Sequence, residues 1–321
     1  MKAIQQHRFG GPEVLELRDL PDPEPLSGHA RIRVAAAGVH LLDTVLRAGE
    51  AGPFGVMELP AVPGREVAGV VDRLGPDVEA SWAGCRVVAH LGAASGGYAE
   101  LVVAPVEALV PLAEGVDPAE AVAMVGTGRT ALGILDEAAI MPGDVVLVTA
   151  AAGGLGTLLV QAGKAAGATV IGAAGGPAKV ELVRSLGADV AVDYLDPTWG
   201  ESLADVGVTV VLDGVGGSIG RTALELVQPG GRIVLFGHSS GEHVPLDASD
   251  LFTRGIAVTA AVGPRLFARP GGIAALSEKA VARLVEGTWR PVIDRFPLAD
   301  AASAHLALVE RQTTGKVVLV P

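Results

Sequence analysis

The run Val145-Val146-Leu147-Val148-Thr149 leads directly into Ala150-Ala151-Ala152-Gly153-Gly154-Leu155-Gly156, and an apolar helical stretch follows. A strand, a glycine-rich turn and a helix in that order make a cradle for phosphate. The first N–H groups of the helix lack partners within it, and its dipole favours an anion there. Against the pattern G-x-G-x-x-G the turn reads Ala151-x-Gly153-x-x-Gly156, with alanine in the first place. Gly153 would let the backbone approach a pyrophosphate, and Gly156 would let helix and strand pack closely. Ala152, Gly154 and Leu155 complete the expected contact set. In a chain with 44 glycines the pattern alone says little. The strand before it, the helix after it and the alternating units beyond give it weight.

The end of the next strand decides between two dinucleotides. Sites for NAD place an Asp or Glu about 20 residues on, to hold the ribose 2′-hydroxyl. This chain has Val170-Ile171-Gly172-Ala173-Ala174-Gly175-Gly176-Pro177-Ala178-Lys179. Ala174 stands where the carboxylate would be, small glycines follow, and Lys179 is a cation within reach. A 2′-phosphate fits that composition, because a carboxylate would repel it and a lysine attract it. The residues therefore point to NADPH.

Elements that could position such a site alternate along the middle of the chain. Strands are expected at 145–149, 169–172, 190–192, 208–212 and 232–236, and helices at 155–167, 178–186 and 221–227. Near-continuous Val, Ile and Leu strands separated by helices imply a parallel sheet covered on both faces. The first 120 or so residues differ. Short runs at 14–17, 30–34 and 67–71, punctuated by Gly and Pro, suggest a β-rich barrel or sandwich. Asp117-Pro118-Ala119-Glu120 reads as a helix start. A helix near 274–286 and a strand at 315–320 close the chain. At 321 residues, two domains are expected.

The chain carries 36 acidic against 24 basic residues, a net charge of -12. That balance argues against a nucleic-acid surface, and no basic run suits an anionic membrane. Met1 to Arg8 has no apolar signal-peptide core, so the cytosol, hence a cytoplasmic protein, is expected. The most apolar stretch, 145–160, is shorter than a bilayer span and broken by glycines. One cysteine, Cys85, allows neither a disulfide within the chain nor a cysteine-rich metal lobe.

The turn at 150–156 resembles the AAAGGVG signature of the zinc-independent quinone oxidoreductase branch of the medium-chain dehydrogenase/reductase superfamily. Other segments follow in that family's order: Gly38-Val-His-Leu-Leu-Asp43, Pro63-Gly-Arg-Glu66 with Gly69-Val-Val71, Gly84-Cys-Arg-Val87 and Gly97-Tyr-Ala-Glu100. Leu186-Gly-Ala-Asp189, Asp213-Gly-Val-Gly216, Phe236-Gly-His-Ser-Ser-Gly241 and Gly315-Lys-Val-Val318 complete the set. The resemblance implies an α/β protein: a GroES-like catalytic domain from residues 1–120 and 264–321, and a Rossmann NADP-binding domain at 121–263, with a cleft between them. It further implies that Thr130 contacts the nicotinamide end, and that Gly175, Lys179 and Tyr194 lie at the 2′-phosphate. Val215, Phe236, Gly237 and His238 would line the cofactor path. A homodimer through an edge of the Rossmann sheet is expected, with 258–262 as the edge strand. Segments 46–59 and 262–272 are expected to frame the substrate.

Zinc-dependent members of the superfamily place a Cys at the position of His40, a His at that of Arg65 and a Cys or Asp near Gly126. Here only His40 could ligate, with Glu66 as the one further candidate, and two ligands do not make a catalytic zinc site. No metal is therefore expected. Without a Lewis acid to hold an alkoxide, an acceptor that spreads the added charge is easier to reduce. A quinone or an α,β-unsaturated carbonyl compound is such an acceptor. His40 stands where asparagine is common; it could donate a hydrogen bond or proton to the substrate, or serve only in binding and structure. Asp43 could orient His40 or cap a short helix. Two other readings share the same turn: an enoyl-thioester reductase, for which no basic channel for carrier phosphates is visible, and an NADPH-binding sensor or structural protein with little turnover.

Overall fold

The apolar runs bounded by glycine and proline become strands, and the stretches with helical spacing become helices. The computed structural model describes residues 1–52 and 55–321. Its strands are β1 (Lys2–Gln5), β2 (Glu16–Asp19), β3 (His29–Gly38), β4 (Glu66–Leu74), β5 (Arg86–His90), β6 (Leu101–Pro105), β7 (Leu109–Pro111), β8 (Val145–Val148), β9 (Thr169–Ala174), β10 (Val190–Asp193), β11 (Val210–Asp213), β12 (Arg232–Leu235), β13 (Ala257–Ala260), β14 (Ile293–Pro297) and β15 (Lys316–Val320). The helices are α1 (Leu41–Ala48), α2 (Pro118–Ala123), α3 (Arg129–Ala138), α4 (Gly154–Ala165), α5 (Pro177–Ser185), α6 (Gly217–Leu226), α7 (Ala248–Arg254), α8 (Pro264–Phe267), α9 (Gly272–Val285) and α10 (Ala301–Val309). The chain divides into one unit of Met1–Gly126 with Ala280–Pro321 and a second of Thr127–Lys279.

In the first unit, a sheet runs in the order β14-β15-β3-β4-β5-β7, with β6 also paired to β3. Alternating residues of these strands, among them Ile32, Val67, Val87, Val102 and Leu319, fill one core with Ile4 from β1. The register carries the functional consequence. Gly38 lies opposite Glu66, Glu66 opposite His90, and Val318 opposite Gly38. Residues far apart in the chain thus meet at one end of the sheet. Two sequence expectations meet their local physics here. Val14 does not begin a strand: Pro12 sits at the first helical position and starts a 3₁₀ turn over Pro12–Val14, so β2 begins at Glu16. At the start of α2, the Asp117 carboxylate accepts the N–H groups of Ala119 (2.7 Å) and Glu120 (3.3 Å), the cap its position suggested.

In the second unit, six parallel strands run β10-β9-β8-β11-β12-β13. Val146, Leu147 and Val148 of β8 are fully buried, as a strand covered on both faces must be. The strand order reverses between β8 and β11, which puts a switch point beyond the carboxyl end of β8. β13 is an edge strand, at the place the sequence indicated. Among the described residues, no helix is long and apolar enough to cross a membrane.

Candidate active site

Within the second unit, the turn after β8 is shaped by close packing. Ala150 takes a left-handed conformation, φ 48°, which is uncommon without glycine. Ala151 N–H donates to the Ala173 carbonyl (3.0 Å), tying the turn to β9. A Cβ on Gly156 would lie 2.2 Å from the Ala150 oxygen and 2.6 Å from the Ala151 Cα, so only glycine fits. Gly153, the cap of α4, differs: an added Cβ would meet only the Ala150 oxygen, at 3.3 Å. The fold itself therefore asks less of Gly153 than of Gly156. Gly154, Leu155 and Gly156 form the first turn of α4, where backbone N–H groups have no intrahelical acceptor.

A buried latch that sequence reasoning missed fixes the neighbouring strand end. Thr149 Oγ1 donates to Asp213 (2.6 Å), and Asp213 also accepts the N–H groups of Val215 (3.2 Å) and Gly216 (3.0 Å). Gly214 N–H donates back to Thr149 Oγ1 (3.0 Å). Burial pushes the Asp213 carboxyl up, against these hydrogen bonds. Phe236 lies over Gly214, where an added Cβ would come within 2.3 Å of its ring, and Gly237 packs on the Gly214 carbonyl. Val215, Phe236 and Gly237 are thus gathered at the ends of β11 and β12. His238 follows on the surface, its ring 4.5 Å from that of His243. Only the Asp213-Gly-Val-Gly216 segment hinted at the latch.

At the end of β9, Tyr194 packs its ring on Gly175, where an added Cβ would lie 2.9 Å away. Its N–H donates to the Ala174 carbonyl (3.1 Å). Lys179 stands half-buried in the first turn of α5, and Thr130 half-buried in the first turn of α3. The sequence reading overlooked Asp193, which pairs with Ala174 across β9 and β10. Its carboxylate is occupied by the N–H groups of Gly176 and Leu195, both at 2.9 Å.

In the first unit, His40 belongs to a cluster of charge. His40 Nε2 lies 2.7 Å from Glu66 Oε1 and 2.9 Å from Lys316 Nζ, and Lys316 Nζ lies 2.8 Å from Glu66 Oε2. The Glu66 side chain is fully buried, that of Lys316 is 5% exposed, and that of His40 is 32% exposed. Two glycines make this possible. A Cβ on Gly38 would fall 2.5 Å from Glu66 Oε2 and 3.1 Å from Lys316 Cε; one on Gly126 would fall 1.4 Å from Glu66 Oε1. Burial pushes the Glu66 carboxyl up, but His40 and Lys316 outweigh it and hold the group well below the usual carboxylate range.

Asp43 performs the cap. Its carboxylate accepts the backbone N–H of His40 (2.8 Å) at the start of α1 and the Tyr98 hydroxyl (3.1 Å). The chain continues inward: Tyr98 oxygen lies 3.1 Å from His305 Nε2, and His305 Nδ1 lies 3.1 Å from Arg47 Nη1. Arginine can only donate, so His305 Nδ1 accepts and Nε2–H donates to Tyr98. Burial lowers the His305 pKa to about 4, keeping the ring neutral as this chain of bonds requires. Asp43 therefore fixes the backbone of His40 through its carboxylate, and the His40 side chain in turn faces the Asp43 N–H in the same capping box. Pro53 and Phe54, within the expected substrate-framing segment 46–59, lie outside the described residues.

The donor set around His40 does not fit zinc. A catalytic zinc takes three protein ligands. Glu66 and His40 close on the Lys316 ammonium, and the space a side chain at 126 would need is filled by Glu66 itself. Among the described residues, no group of three or more His, Cys, Asp or Glu is placed to hold a metal ion.

Comparison with known proteins agrees with this architecture. Residues 27–114 match the alcohol dehydrogenase GroES-like domain, and residues 154–278 match the zinc-binding dehydrogenase family. A quinone oxidoreductase of Pseudomonas aeruginosa is 35% identical over 327 residues, covering 100% of this chain and 99% of its own. A 2-haloacrylate reductase of Burkholderia sp. is 34% identical over 328 residues, covering 98% and 97%. Among solved structures, an NAD-dependent alcohol dehydrogenase superposes with a TM-score of 0.89 at 33% identity, and the Thermus thermophilus quinone oxidoreductase, also solved with NADPH, with 0.81 at 38%; both comparisons cover 100% of each chain. The chain belongs to the quinone oxidoreductase branch of the medium-chain dehydrogenase/reductase superfamily and is an oxidoreductase of that family.

Proposed function

We propose that this protein uses NADPH to reduce a small conjugated carbonyl compound, a quinone or an α,β-unsaturated carbonyl, without a metal. The observation that carries this reading is the donor set around His40. It offers one partly exposed side chain able to give a hydrogen bond and, among the described residues, no ligand set for an ion that could hold an alkoxide. A conjugated acceptor needs less help, because the charge that arrives with hydride spreads onto its oxygen. Two relatives support the class, one named for quinones and the other for 2-haloacrylate, since both are electron-poor conjugated acceptors.

NADPH, when bound, supplies the hydride. The turn at 150–156 holds its pyrophosphate on the N–H groups of α4. Ala174 leaves the strand end without a carboxylate, and Gly175, Lys179 and Tyr194 take the 2′-phosphate. Asp193, the nearest carboxylate in register, is already engaged by two backbone N–H groups. Thr130, Val215, Phe236, Gly237 and His238 line the rest of the cofactor path. His40 gives a hydrogen bond, and then a proton, to the acceptor oxygen. Steady-state oxidation of NADPH and NADH against a panel of quinones, enones and enals tests the reading. Turnover with several members and a preference for NADPH is expected; tight NADPH binding with no turnover on any of them overturns it.

A further inference from the structure

Three segments of the second unit line the path proposed for the cofactor: the turn after β8, the turn after β11 and the loop after β12. One pair of fully buried side chains, Asp213 and Thr149, joins them. The Asp213 carboxylate is used on two sides. Oδ1 accepts the Thr149 hydroxyl (2.6 Å) and the Val215 N–H (3.2 Å), and Oδ2 accepts the Gly216 N–H (3.0 Å). No cation is among these partners. A buried carboxylate held by neutral donors alone is costly, and burial pushes its pKa up. An asparagine of the same shape would carry one oxygen in place of two and set its NH2 against a donor. Room for the charge is left on α6, where a Cβ on Gly220 would fall 2.8 Å from Oδ2.

Each of these bonds continues toward the surface. Thr149 is followed at once by Ala150, whose left-handed backbone opens the phosphate turn and whose carbonyl accepts the Gly153 N–H (2.9 Å). On the other side, the N–H groups of Gly214 and Val215 are drawn inward, to Thr149 Oγ1 and to Asp213. Their carbonyls then face the loop after β12 and accept the N–H groups of Ser239 (3.0 Å) and Ser240 (2.9 Å). The Gly217 N–H donates to the Glu242 carbonyl of the same loop (3.0 Å). Gly216, at φ 71°, admits no side chain here, since its Cβ would lie 2.1 Å from the Glu242 oxygen. The turn after β11 is thus bonded beneath to the latch and above to the loop.

Resting on the proposed NADPH-dependent reduction, we propose that Asp213 is a positioning residue for the cofactor: with Thr149 it sets the phosphate turn in register with the wall formed by Val215 and Phe236. A dinucleotide held at its pyrophosphate then lies along that wall. Asp213 touches neither cofactor nor acceptor and moves no proton. The strand end at Ala174 lies outside the latch, because β9 is tied to the phosphate turn by the Ala151 N–H and the Ala173 carbonyl instead. The latch therefore governs how tightly a dinucleotide binds, and not the choice between NADPH and NADH.

Three variants test this. Thr149→Val keeps the shape and burial of the side chain but removes the hydroxyl that joins Asp213 to Gly214. Thr149→Ser keeps that hydroxyl. Asp213→Asn sets an NH2 against one of the three donors. Denaturant unfolding first finds conditions in which each variant is fully folded, and Kd values for NADPH and NADH are then measured there by fluorescence titration. A latch that only stabilised the fold would lower the unfolding midpoint and leave binding by the folded protein unchanged. We expect Thr149→Val and Asp213→Asn to raise both Kd values by the same factor, about tenfold, and Thr149→Ser to restore both to within about twofold of wild type. Kd values equal to wild type in folded Thr149→Val overturn the proposal. A loss confined to NADPH overturns it too, since the effect would then lie at the 2′-phosphate, as does a Thr149→Ser variant that binds as weakly as Thr149→Val. Should Asp213→Asn not fold, the two Thr149 variants decide alone. The titrations need no acceptor, so a wild-type protein that binds dinucleotide but turns over nothing on the panel defeats the proposed reaction while the Kd values still judge the latch.

Discussion

The turn between β8 and α4 offers backbone N–H groups to negative charge, whereas the cluster behind His40 offers a buried ammonium. The first is neutral and short in sequence, and is enforced by a glycine that could not be anything else. The second is an ion pair drawn from three segments, and two glycines clear its space. A neutral cradle suits a ligand that brings its own charge and leaves again. A buried ion pair that closes on His40 fixes the three segments it joins. The two devices should fail differently when disturbed.

The largest effect is expected from unbalancing the ion pair. Glu66→Gln or Lys316→Met alone leaves one buried charge uncompensated, which costs about 3–5 kcal/mol of stability. Denaturant unfolding should show that loss for each single variant, with most of it recovered in the double variant. Near-additive losses would mean that the two groups are not coupled as their 2.8 Å separation implies.

Next in size is the response to acid of the chain of bonds running from Arg47 to Asp43. The His305 pKa falls from 6.5 to about 4 in the fold. Between those values the unfolded chain takes up a proton that the folded protein refuses. Stability is therefore fully present above pH 6.5 and declines as the pH falls toward 4, by about 3 kcal/mol in all. Glu66, held low in the fold, loses its contribution at lower pH still. Unfolding of the wild type and His305→Gln from pH 7 to 4 isolates the effect: the acid decline between 6.5 and 4 should shrink in the variant. Parallel curves would show that His305 is not the group refusing the proton.

This contrast also explains what could be read from the sequence. The turn was legible because strand, glycines and helix occupy consecutive positions, and their spacing alone names the geometry. The His40 cluster was half legible. His40 and Glu66 stood in recognisable segments, but Lys316 lies 276 positions from His40, in a terminal strand whose lysine looks like any solvated residue. Only the pairing of β15 with β3, and of β3 with β4, brings them together. The Thr149–Asp213 latch stayed hidden for the same reason, since hydrogen bonds between strand ends follow from sheet order and not from spacing. Asp193 was missed because the search for a carboxylate followed β9 and not the neighbouring β10.

Smaller effects are expected in the turn. Gly156→Ala must push its Cβ against the Ala150 oxygen, an overpacking that costs about 1–3 kcal/mol and distorts the N–H groups of α4. Gly153→Ala meets that oxygen at 3.3 Å only, so stability should change by less than about 1 kcal/mol. NADPH affinity, followed by fluorescence titration, should nevertheless fall in both variants, because on the proposed reading the pyrophosphate approaches the backbone closely at Gly153. If Gly153→Ala binds NADPH as well as the wild type does, the contact at Gly153 is not made.

The smallest effect concerns the one charge that the cofactor reading gives the second unit. Lys179 stands half-buried in the first turn of α5, beyond a strand end that lacks a carboxylate and where the Tyr194 ring packs on Gly175. A contact between its ammonium and a 2′-phosphate, as proposed, would be partly screened by water and salt, so a modest contribution is expected. Lys179→Ala should raise the Kd for NADPH about tenfold, near 1.4 kcal/mol, and leave the Kd for NADH unchanged. Added salt should narrow the gap between wild type and variant for NADPH alone. An equal loss for both dinucleotides would assign Lys179 to shaping α5. NADPH preference would then rest on Ala174 and on the engagement of Asp193, and charge recognition in the second unit would be a property of its backbone throughout.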